Sequence, residues 1–77
     1  MELVTDKLNL KIDGQPFELS YPSTRQYQSV EKLGEDIKIE QVVSFVVACG
    51  LPESQVETLQ TKNLLAIFKE LLKVGND

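Results

Sequence analysis

The chain has 77 residues with eight basic and twelve acidic side chains, a net charge of −4, one cysteine and no histidine. That length holds one hydrophobic core and leaves no room for a separate substrate domain, and a chain of this size buries only about 60 % of the surface its unfolded form exposes. The acidic balance repels polyphosphate and anionic lipid, and the absent histidine removes the commonest general base and metal ligand. Residues 35–77 hold seven of the acids against four bases, so electrostatic steering belongs to the C-terminal half and favours a basic partner.

The first element is a hairpin over residues 7–21. Asp13-Gly14 suits a type I′ turn, and pairing Ile12 with Gln15 sets Leu10 against Phe17 and Leu8 against Leu19. Asn9/Glu18 and Lys7/Ser20 then share the opposite face. In this register Pro16 falls at a non-hydrogen-bonded position, which makes the second strand an edge at that point.

Tyr21-Pro22 stays extended, and Ser23 with Gln26 three residues on predicts a capping box opening a helix over 24–33. Tyr27, Val30 and Leu33 form its one apolar stripe, and Gly34 ends it. Residues 37–49, IKIEQVVSFVVAC, read as a second helix with Asp36 as N-cap and Gly50 just past the end. The β-branched run leaves a buried strand over 42–48 as the alternative.

A short segment over 53–59 is a third helical turn, and Thr61 is the expected N-cap of a final helix over 62–73. Leu64, Leu65, Phe68, Leu71 and Leu72 form its apolar face, and Lys69 and Lys73 complement its C-terminal dipole. The predicted fold is therefore α+β: one domain over 1–77, an N-terminal two-stranded β-hairpin packed on a bundle of three to four short helices.

Catalytic chemistry finds no constellation here. Cys49 sits on an apolar helix face and reads as a core residue; Glu35-Asp36 and Glu53/Glu57 flank helix starts without an apolar pocket to separate their pKa values. The four glycines are isolated, so no phosphate loop exists. A helix-turn-helix around Gly50-Leu51-Pro52 would place Glu53 and Glu57, and no arginine, after its turn, which excludes DNA as the expected partner. No catalytic, cofactor or metal residue is expected. The longest apolar stretch, Val42–Leu51, is about half a bilayer span, and no leader pattern opens the chain, so a cytoplasmic location without membrane contact is expected.

The apolar faces of the last two long helices are wide, roughly 200° for 39–49 and roughly 180° for 64–74 at 100° per residue. Either the hairpin and first helix cover their flanks, or the margins Phe45, Val47, Ile67 and Val74 form part of a docking surface for a partner helix or a second protomer. Those four are the candidate partner-binding residues.

The order KIDGQPFELSYPS, TRQYQSVEKLGED, an apolar helix ending in VACGLPE, and NLLAIFKELLK resembles the small tail assembly chaperones of long-tailed bacteriophages, encoded between tail tube and tape-measure genes. The resemblance covers residues 7–73 and carries no catalytic residue across. It implies a protein that binds the helical tape-measure protein in the bacterial host cytoplasm, keeps it soluble and recruits tail tube protein around it. Members of that family often also have a longer product made by ribosomal frameshifting, and a chain that ends soon after its last helix would match the short form. The competing expectation is a small regulatory adaptor or inhibitor that masks a host or phage protein.

Overall fold

The computed structural model describes residues 7–73. Strands β1 (Lys7–Ile12) and β2 (Gln15–Ser20) pair antiparallel in the register the turn dictates, from Ile12↔Gln15 through Leu8↔Leu19 to Lys7↔Ser20. Asp13 at φ 52° and Gly14 at φ 83° supply the two positive dihedrals of a type I′ turn. The apolar face holds Leu8, Leu10, Ile12, Phe17 and Leu19, of which Leu19 is fully buried and the others half-buried. Lys7 bridges to Glu18 at 3.2 Å on the exposed face.

Helix α1 (Thr24–Leu33) begins as its capping box requires: the Gln26 amide donates to the Ser23 hydroxyl at 3.3 Å, and the Ser23 amide donates to the Gln26 side-chain oxygen at 2.8 Å. It buries no residue fully, and Tyr27, Val30 and Leu33 are half-buried. A single 3-10 turn, Gly34–Asp36, follows.

That turn corrects the expected start of the next helix. Asp36 lies within the 3-10 turn, Ile37 and Lys38 are extended, and α2 spans Ile39–Ala48. Lys38 is the N-cap, and its amide donates to the Gln41 side-chain oxygen at 2.8 Å. The β-branched run is helical, so the strand alternative is excluded. Three of its residues, Val42, Phe45 and Val46, are buried, and packing of that stripe outweighs the weak propensity of valine for helix.

Helix α3 (Glu53–Thr58) contributes Val56 to the core, and α4 (Thr61–Leu71) contributes Leu64, Phe68 and Leu71. Gln60, not Thr61, is the N-cap of α4, and no side chain bonds there. Both α3 and α4 pack against α2. Lys73 pairs with Glu70 at 2.9 Å, which pushes the ammonium pKa up, chiefly through their side-chain hydrogen bond and then through charge attraction. The α+β architecture is as the sequence predicts: one antiparallel hairpin followed by four helices.

The hairpin joins the helices at one end of β2. The Ser20 amide donates to the Cys49 carbonyl at 2.8 Å, and Gly50, at φ 123°, brings its backbone beside Glu18 and Leu19. A side chain at position 50 would require a dihedral that L-residues rarely adopt. Leu19 and Leu51, each 0 % exposed, belong to the same buried cluster.

Candidate partner-docking groove

Of the four residues expected at an apolar margin, the three that the structure describes, Phe45, Val47 and Ile67, are not brought together. Phe45 is 7 % exposed, and its ring pairs edge-to-face with that of Phe68 with centroids 5.3 Å apart, so it belongs to the α2–α4 core. The stripe of Val42, Phe45, Val46 and Cys49 explains this placement: on a 100° wheel Phe45 lies about 50° from its centre. Val47, about 150° from that centre, is half-buried against the core periphery. Val74 lies outside the described residues.

Ile67 lines a concavity. A groove of about 580 Å³ runs between the hairpin tip and the α3–α4 elbow, bordered by Leu10, Ile12, Leu59 and Ile67 with Lys11, Asp13, Gln60 and Asn63 at its polar rim. Leu10, Ile12, Leu59 and Ile67 are half-buried. Two different local rules aim them at one space. Strand alternation turns Leu10 and Ile12 to the same face, and Ile67 flanks the buried stripe of α4 on the side next to the hairpin. Leu59 reaches the groove because it is extended where α3 ends.

Among the described residues, the two large apolar side chains most open to solvent are others. Ile39 is 48 % exposed and Leu65 is 38 % exposed, although the spacing places both on apolar helix faces. The centre of the α4 stripe, set by Leu64, Phe68 and Leu71, lies about 90° from Leu65, and this angular distance is the signal in the sequence that separates it from the core.

The groove lining holds one carboxylate, Asp13, and no cysteine. Cys49 is 3 % exposed in the core, and burial pushes its thiol pKa up, away from the thiolate form. Glu35, Asp36, Glu53 and Glu57 are all exposed. Among the described residues, no group of three or more His, Cys, Asp or Glu side chains stands close enough to hold a metal ion, and no helix is long and apolar enough to cross a membrane. What the groove offers is half-covered aliphatic surface with a polar rim, the chemistry of a contact for another apolar side chain. Comparison with protein-family models, curated proteins and solved structures yields no match.

Proposed function

We propose that this chain is a non-enzymatic protein-binding module, a phage or prophage tail assembly chaperone. On this reading it holds the helical tape-measure protein in the bacterial host cytoplasm and helps recruit tail tube subunits. The observation that supports it is the groove between hairpin and α4, where Leu10, Ile12, Leu59 and Ile67 are half-buried and line one concavity. An apolar helix of the partner laid there completes their burial, which stabilises the complex by about 25 cal/mol for each Å² removed from water.

The test is co-expression with the large helical protein encoded beside it. The tape-measure protein is expected in the soluble fraction only when this chain is present, and Ile67→Glu is expected to abolish the effect while the variant keeps its far-ultraviolet circular dichroism. A tape-measure protein equally insoluble with and without the chain defeats the proposal.

A further inference from the structure

The hairpin has two outer edges, and they are not equivalent. In the observed register Ile12↔Gln15, Leu10↔Phe17 and Leu8↔Leu19 exchange the ladder hydrogen bonds, so the backbone groups of the alternate residues face outward. On β2 these are Pro16, Glu18 and Ser20. Pro16 has no N–H, the Ser20 N–H is held by the Cys49 carbonyl, and Gly50 backs onto the Glu18 carbonyl. The β2 edge is thus interrupted at Pro16, covered at the Glu18 carbonyl and held at Ser20.

On β1 the outward residues are Lys7, Asn9 and Lys11. All three are exposed, and among the described residues none of their backbone groups has a hydrogen-bond partner outside the hairpin. The hairpin's share of the groove comes from Leu10, Lys11, Ile12 and Asp13, so open space borders the β1 side. We propose that the β1 edge is a strand-accepting site that takes an extended segment of a partner protein with acidic residues at alternate positions and apolar residues between them.

Charge selects that occupant. β1 reads KLNLKI, with two lysines and no acid, in a chain whose net charge is −4. Glu18 holds Lys7 at 3.2 Å and Asp13 follows in the turn, but Lys11 has no ion-pair partner among the described residues. A second copy of β1 is disfavoured: the one antiparallel register that pairs all of Lys7, Asn9 and Lys11 centres on Asn9 and sets Lys7 opposite Lys11. An acidic residue opposite each lysine reverses that sign. The apolar alternates of the added strand extend the face of Leu8, Leu10 and Ile12 towards the groove. This site recognises extended backbone and stands independently of the chaperone reading, which asks only for apolar side chains.

The experiment titrates the full chain with a capped peptide alternating valine and glutamate, followed by amide hydrogen exchange. Exchange at Lys7, Asn9 and Lys11 is expected to slow about tenfold or more on saturation, while the ladder amides of Leu8, Leu10 and Ile12 and the Glu18 amide keep their rates. A valine–lysine peptide, and a valine–glutamate peptide N-methylated at alternate residues, are each expected to bind at least about tenfold more weakly. Asn9→Pro removes the central outward donor from a non-hydrogen-bonded pair and so spares the ladder; it is expected to weaken the peptide by a similar factor. Protection without alternation, equal affinity for the N-methylated or lysine peptide, or no binding at millimolar peptide overturns the proposal. So does protection of the same amides that grows with protein concentration in the absence of peptide, because the occupant is then a second copy.

Discussion

The rings of Phe45 on α2 and Phe68 on α4 form an edge-to-face pair, the planes at 84°, and this pair joins two helices that meet nowhere in sequence. Replacing Phe45 by alanine removes the aromatic contact and leaves a void in a core of ten buried side chains, a loss of about 3–5 kcal/mol. In so small a domain that equals most of the total stability. Phe45→Ala is expected to be largely unfolded at 37 °C, measured by the loss of the cooperative melting transition, whereas Val47→Ala keeps it.

Gly50 is the second point of weakness. Its φ of 123° is out of reach for L-residues without strain, and Gly50→Ala is expected to destabilise the chain by about 1–3 kcal/mol. Thermal melts then show a midpoint lower by at least about 4 °C. An unchanged midpoint means that the loop after α2 relaxes freely and does not fix the hairpin.

Ser23→Ala tests a different scale of effect. The capping hydroxyl is worth about 1 kcal/mol, but α1 has no fully buried residue, so the loss is confined to the helix end. Amide exchange over Thr24–Tyr27 is expected to quicken about fivefold with little change in the global melting midpoint. A full drop in the midpoint indicates instead that α1 folds as one unit with the core.

Cys49 sets an alkaline limit. Because burial raises its folded pKa above that of the unfolded thiol, the folded state holds the proton more tightly. Its contribution is complete below the unfolded pKa and falls as the pH rises above it towards the folded value. Denaturant midpoints of the native chain are expected to decline above about pH 8.5 more steeply than those of Cys49→Ala. At pH 8, alkylation by iodoacetamide is expected to follow the unfolding transition, detected as a mass increase only in denaturant.

The parts of the fold written in local chemistry were legible. Asp13-Gly14 fixes a turn and the turn fixes every pair in the ladder; Ser23 and Gln26 fix the start of α1. Asp36 misled because a good capping residue also suits a 3-10 turn, and the helix begins instead where Gln41 reaches back to Lys38. The groove was less legible for a geometric reason. A stripe on a helical wheel gives the width of the apolar face but not which flank the hairpin covers. Phe45 was covered by α4, Leu65 was left open, and Ile67 took its place in the groove through Leu10 and Ile12, residues more than fifty positions earlier in the chain.

The closure of the β2 margin by Pro16 and by the Ser20–Cys49 bond also governs crowded conditions. Growth of a fibril requires each hairpin to be sticky on both sides. Here any chance encounter between two chains through β1 leaves at either end a margin broken at Pro16 and Ser20, which opposes propagation beyond a pair.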